Sequence, residues 1–231
     1  MPAPAPVPEL PAPSPDLVQR GAFLFLDAGL SGDGTRSCAS CHPGGGSDRN
    51  VYRDGEKVAP GAPGGRRTLA LRGLPQTAPY LWDGSLETLR ATIDRMLRVE
   101  MRAGPIPPQD LGALEAYLQS IPPFDRGRIE PDGTPREPAT LTMKRGFEVF
   151  REAGCRECHP PPAYTRPERF DVESDGRWSA PTLRGVSVSG PYGHDGRWSS
   201  LERALSAPGH PPETRLSSED LHRLLAYLGL L

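Results

Sequence analysis

The sequence predicts an all-α protein made of two tandem domains joined by irregular Gly/Pro-rich segments. Three observations predict it. One series of short motifs runs through the chain twice, in the same order. Apolar residues flanking those motifs fall at helical spacing. Turn formers, 26 Gly and 29 Pro among 231 residues, are about twice as common as usual.

Composition narrows the class further. Only 36% of residues are apolar and 6% aromatic, which makes a thin core for a chain of this length. Such a chain needs a partner, partial disorder or a bulky cofactor that serves as core. The formal charge is −2, from 27 basic and 29 acidic residues. That balance excludes the concentrated basic field that nucleic-acid binding usually needs. No apolar run approaches the ~20 residues of a membrane-spanning helix.

The elements follow in order. Residues 1–15, MPAPAPVPELPAPSP, read as a semi-extended tether, to a membrane or a larger assembly. They show neither a charged nor an apolar leader region, so the chain is expected to be a mature or trimmed form. Residues 16–124 form the first domain and residues 125–231 the second. Each opens with a helix carrying Gly and Phe four positions apart, Gly21 with Phe25 and Gly146 with Phe150. The glycines are expected to let a second helix approach closely. An irregular segment follows, Leu71-Arg72-Gly73 to Trp82-Asp83-Gly84, matched at an offset of 112 by Leu183-Arg184-Gly185 to His194-Asp195-Gly196. A closing helix carries Leu114, Tyr117 and Leu118, matched at an offset of 110 by Leu224, Tyr227 and Leu228. Packing the opening helix on the closing one would complete each lobe. A Pro-, Gly- and charge-rich linker lies near residues 122–140.

All four cysteines fall in two copies of one motif, Cys38-Ala39-Ser40-Cys41-His42 and Cys155-Arg156-Glu157-Cys158-His159. A zinc ribbon would place its pairs about 15–20 residues apart, and a thioredoxin-like site would need a neighbouring βαβ pattern. Neither condition is met. C-x-x-C-H is the attachment motif of c-type haem: two thiols add across the vinyl groups, and His42 or His159 is placed as proximal ligand of the iron. Two covalent haems would supply the missing core and make each lobe cytochrome-c-like. They also imply export, because haem c is attached outside the bacterial cytoplasm, so the expected location is the periplasm or cell surface. Arg72 and Arg184, each just before a Gly, are candidates to hold haem propionates.

On these residues the chain resembles the bacterial di-haem cytochrome c peroxidase and MauG-like family. The resemblance covers roughly residues 17–231 and rests on GAFLFLDAGLSGDGTRSCASCH, YLWDGSLETL and VEM in the first half. In the second half it rests on GFEVFREAGCRECHPPPAYT, APTLRG and GPYGHDGRWSSLERAL. It implies that the first haem is peroxidatic and the second the electron-entry haem. It assigns Glu100, of the pair Glu100-Met101, as the distal catalytic carboxylate and Trp82 as an electron relay. A distal carboxylate suits the chemistry, because peroxide cleavage takes two electrons and two protons and needs a group to shuttle protons.

The same resemblance implies a small cytochrome c or cupredoxin as donor and hydrogen peroxide as substrate. The family's Met ligand of the second haem would fall on Pro208, which cannot ligate, so His210 is the candidate sixth ligand. Met96, 14 positions after Trp82, is a candidate for the first haem by the duplication. The stretch where resting peroxidases carry a distal His reads Arg53-Asp54-Gly55-Glu56-Lys57, as expected for the MauG-like branch. A calcium site would meet Arg67 where Asn is expected, with Ser189 and Pro191 left to offer carbonyls. Two other readings stand beside the peroxidase: a MauG-like oxidase of a protein partner, and a di-haem electron-transfer subunit without substrate chemistry.

Overall fold

A computed structural model describes residues 12–171, 176–208, 210 and 216–231. Most of the proline-rich N-terminal tether therefore lies outside the described residues, as do the positions flanking His210. The described chain forms two compact units, one of residues up to Leu81 with Ser85–Pro123, the other of Trp82–Gly84 with Phe124–Leu231. No described helix is long and apolar enough to cross a membrane.

In the first unit, α1 (Pro15–Leu26) starts with proline at its first position, where the missing N–H costs nothing. The four-residue α2 (Cys38–Cys41) follows. Next come strands β1 (Val51–Arg53), β2 (Glu56–Val58) and β3 (Arg66–Arg67), then α3 (Leu89–Val99) and α4 (Pro108–Ser120). The Thr88 hydroxyl accepts the Ala91 amide and caps α3. Phe25, Leu89, Ile93, Leu97, Leu114 and Leu118 meet in the core.

The second unit repeats this order. Helix α5 (Leu141–Glu152) precedes the short α6 (Cys155–Cys158), strands β4 (Arg169–Asp171) and β5 (Arg177–Ser179), the brief α7 (Leu201–Leu205) and α8 (Ser218–Leu228). Val149, Phe150, Leu205, Leu224, Tyr227 and Leu228 form its core.

The expected opening-on-closing helix packing is present in both units, α1 on α4 and α5 on α8. Gly21 makes it possible: a Cβ there would lie 2.0 Å from the Ala113 carbonyl oxygen. Gly146 stands in the same relation to the Arg223 carbonyl, also at 2.0 Å. The ring of Phe25 sits 5.1 Å from Tyr117, and that of Phe150 sits 5.3 Å from Tyr227. Gly73 and Gly185 both take left-handed backbone, φ 70° and 73°. Their amides donate to the carbonyls that end each closing segment, Ile121 and Leu231, at 3.2 and 3.0 Å.

Among the described residues, the all-α expectation is corrected to a helix-rich fold with two small antiparallel sheets, ordered β2-β1-β3 and β4-β5. Asp54 and Gly55 have φ 51° and 79°, the positive pair that a two-residue hairpin turn requires. The register sets Val51 against Val58 and Arg53 against Glu56, with opposite charges directly across.

Candidate haem-attachment sites

The two cysteine motifs adopt the same local structure. Each C-x-x-C forms one helical turn, and each following histidine leaves it with nearly equal angles: His42 at φ −121°, ψ 60° and His159 at φ −126°, ψ 59°. The histidine amides donate to Cys38 and Cys155 carbonyls, both at 2.9 Å. The turns begin differently. Ser37 and Ser40 form a capping box on α2, whereas Gly154, with φ 75°, starts α6.

Each imidazole is fixed through Nδ1. His42 Nδ1 donates to the Gly46 carbonyl at 3.2 Å, and His159 Nδ1 donates to the Tyr164 carbonyl at 3.1 Å. A carbonyl can only accept, so Nδ1 holds the proton and Nε2 keeps the lone pair an iron needs. Burial keeps both rings neutral. It lowers His42, and it brings His159 to about 4 with help from the nearby charge of His210.

The thiols fit covalent attachment better than metal thiolate or redox chemistry. All four are free of disulfides. Burial pushes Cys38 and Cys155 up to about 11 and raises Cys41 and Cys158 as well. A redox or metal-binding pair needs the opposite shift. Cys38 and Cys155 also lie against the two cores, where a large apolar ring system would extend them. Among the described residues no cluster of three or more His, Cys, Asp or Glu could hold a metal ion.

Arg72 and Arg184 occupy equivalent places. The Arg72 guanidinium donates to Gly44 at 2.9 Å, and that of Arg184 donates twice to Pro162, at 2.9 and 2.7 Å. Both brace the loop that follows the histidine.

Glu100 caps the C-terminus of α3, one turn after Met96 on the same helical face. The neighbouring arginines do not claim it: Arg98 pairs with Asp94, and Arg102 pairs with Glu56. Instead Oε2 accepts the Gly55 amide at 2.8 Å. Arg36 donates to the Gly55 carbonyl and so steadies the same turn. The Glu100 charge is felt at Cys41, where it adds to the upward push of burial and of Asp48. Met96 is half-buried.

Trp82 is buried, and its carbonyl accepts the Ser179 amide at 2.8 Å. Asp83 accepts from Arg169 at 3.3 Å. These residues of the first repeat thus join the strands of the second unit. His194, the counterpart of Trp82, stacks on Trp178 at 3.8 Å with an interplanar angle of 13°. His210 donates from Nδ1 to the Ala204 carbonyl at 3.3 Å, so Nε2 again keeps the lone pair. His222 is exposed.

Sequence reasoning did not find Gly55, Arg36, Tyr164 or Trp178. The Asp54-Gly55 dipeptide was a usable turn signal. Nothing local marks the other three.

Comparisons with known proteins show what the chain is similar to. Residues 15–126 match the profile of the family described as di-haem cytochrome c peroxidase. The methylamine utilization protein MauG of Methylorubrum extorquens is 28% identical over 248 residues, covering 83% of this chain and 68% of that protein. A cytochrome-c peroxidase of Denitromonas iodatirespirans is 25% identical over 330 residues, covering 98% and 85%. Among solved structures, a chain of the xenon-pressurised hydrazine synthase of Kuenenia stuttgartiensis superposes with a TM-score of 0.77 at 22% identity, covering 97% and 90%. That last likeness speaks to the fold alone.

Proposed function

Because the chain belongs to the di-haem cytochrome c peroxidase and MauG family of oxidoreductases, we propose that it is an exported two-haem peroxidase. It reduces hydrogen peroxide to water with electrons from a small cytochrome c or cupredoxin. Haem c, when bound, supplies a one-electron iron centre at which an O–O bond can be reduced. Cys38 and Cys41 would hold the first haem through thioethers, and His42 would offer its Nε2 to the iron. Cys155, Cys158 and His159 would do the same for the second.

Glu100 performs the proton work. Oε2 is engaged by Gly55, so Oε1 is the oxygen that would take a proton from one peroxide oxygen and return it to the other. Two electrons and two protons then yield two waters. The supporting observation is the anchored Glu100 carboxylate, whose charge reaches Cys41 of the first motif. Trp82 relays electrons. His210 would offer Nε2 to the second haem, supported by the Nδ1 bond to the Ala204 carbonyl, which leaves Nε2 its lone pair. Arg72 and Arg184 brace the proximal loops, with N–H groups left for propionates.

A second reading, a di-haem electron carrier, is favoured by Met96, which shares the Glu100 face of α3. A Met ligand would close the first iron to peroxide. The EPR spectrum of the oxidised holoprotein separates the two. One high-spin haem of two means an open iron and supports the peroxidase. Two low-spin haems, with no turnover of peroxide and reduced cytochrome after prior reduction, overturn it. A MauG-like oxidase would instead modify a protein partner and leave reduced cytochrome untouched.

A further inference from the structure

The two histidine loops are opposites in stiffness. After His42 the chain reads Pro43-Gly44-Gly45-Gly46, with φ 57° and 75° at Gly44 and Gly45. After His159 it reads Pro160-Pro161-Pro162-Ala163-Tyr164, where three rings fix φ. The loop ends on a residue in an uncommon state: Tyr164 has φ 54°, costly for a bulky side chain and kept only where the surroundings enforce it.

A buried chain of hydroxyls enforces it. Tyr227, fully buried at 0% exposure, donates from its hydroxyl to the Gly133 carbonyl at 2.9 Å. The Tyr164 hydroxyl, 3.0 Å away, therefore donates to the Tyr227 oxygen. Phe150 packs edge-on against the Tyr164 ring at 6.0 Å. Burial raises both phenols, so both remain protonated donors. At its other end, the Tyr164 carbonyl receives the His159 Nδ1 proton. The first unit has no such anchor: the equivalent carbonyl belongs to Gly46, which has no side chain.

We propose that Tyr164 is a positioning residue for the second haem, and that the Tyr164–Tyr227–Gly133 hydrogen-bond chain fixes the carbonyl that polarises His159. This rests on the two-haem reading above. A firmly held Nδ1–H···O=C bond makes the imidazole a stronger donor and favours the oxidised iron. The rigid loop would thus hold His159 in one geometry and keep the second haem at a lower potential than an unanchored loop would. The carbonyl that receives the first histidine belongs to Gly46 and carries no such side-chain tether.

The test is a spectroelectrochemical titration of the holoprotein and of Tyr227→Phe, Tyr164→Phe and the double variant, with haem content counted beforehand. Each single variant is expected to shift the second haem toward the reduced form by about three-fold at a fixed applied potential, the scale of one weakened hydrogen bond. The double variant is expected to shift no further, because both changes break the Tyr164–Tyr227 bond that anchors the loop. The first haem is unmoved, and Tyr117→Phe, the equivalent change in the first unit, alters neither. Two haems with no shift in the second, or an equal shift in both, overturn the inference. A parent chain lacking the second haem overturns it together with the two-haem reading. A parent with two haems but no peroxide turnover overturns the peroxidase reading alone.

Discussion

The Glu100 carboxylate is held by the Gly55 amide, 2.8 Å from Oε2, so the end of α3 is tied to the turn of a hairpin 45 residues earlier. Glu100→Gln keeps an oxygen acceptor for that amide. It is expected to leave unfolding free energy within about 1 kcal/mol while lowering peroxide turnover about 100-fold or more, the scale of a lost general acid–base. Steady-state turnover beside a denaturant titration checks both halves. Unchanged turnover would remove Glu100 from the mechanism.

Gly55 has a separate prediction. A Cβ there would lie 2.5 Å from the Glu100 carbonyl oxygen, on backbone already at φ 79°. Gly55→Ala is therefore expected to destabilise the first unit by about 2 kcal/mol and to lower turnover by displacing Glu100. A variant with parent-like melting and parent-like turnover would show that the turn does not hold the carboxylate.

The helix crossings predict a contrast between glycines. Gly21→Ala and Gly146→Ala each drive a methyl to 2.0 Å from a backbone oxygen, and each is expected to cost about 1–3 kcal/mol as the helices part. Gly112→Ala, half-buried on α4, meets only the movable Arg90 guanidinium at 3.3 Å. It is expected to gain a few tenths up to about 1 kcal/mol from helix propensity. Thermal melts of the three variants give the order directly.

Asp195 predicts an acid limb in the stability profile. Burial opposes its charge, but hydrogen bonds from the Arg197 side chain and amide, with the charges of Arg197 and His194, outweigh it and hold the carboxyl below its ordinary value. A carboxyl lowered by folding stabilises fully above the ordinary value of about 4. That contribution is lost as pH falls through the lower folded value. Asp195→Asn is expected to weaken the protein by about 2 kcal/mol at neutral pH and to flatten this limb. A variant whose stability falls as steeply between about pH 4 and pH 2 would contradict the assignment.

Attachment chemistry is tested by deletion. Cys155→Ala with Cys158→Ala is expected to halve covalent haem, read by pyridine haemochrome absorbance and denaturing-gel haem stain, while the first haem keeps its spectrum. Retention of two covalent haems would refute the attachment scheme.

Much of the site was legible in the chain because it is local. C-x-x-C-H puts two thiols on one helical turn and an imidazole at its end, and five consecutive residues are enough to do so. The duplication, the opening-on-closing helix packing and the roles of Gly21 and Gly146 were legible too, because period and offset survive in sequence. The sheets were missed: their strands are two or three residues long, too short for a period, and only Asp54-Gly55 announced a turn. What the tertiary structure alone decided is pairing across distance. It gave Glu100 to Gly55 rather than to the adjacent Arg98 and Arg102. It set His210 Nδ1 against the Ala204 carbonyl, and bound Tyr164 to Tyr227 across 63 positions. Such choices depend on which buried donor meets which acceptor once the helices have packed, and no local pattern of residues encodes that.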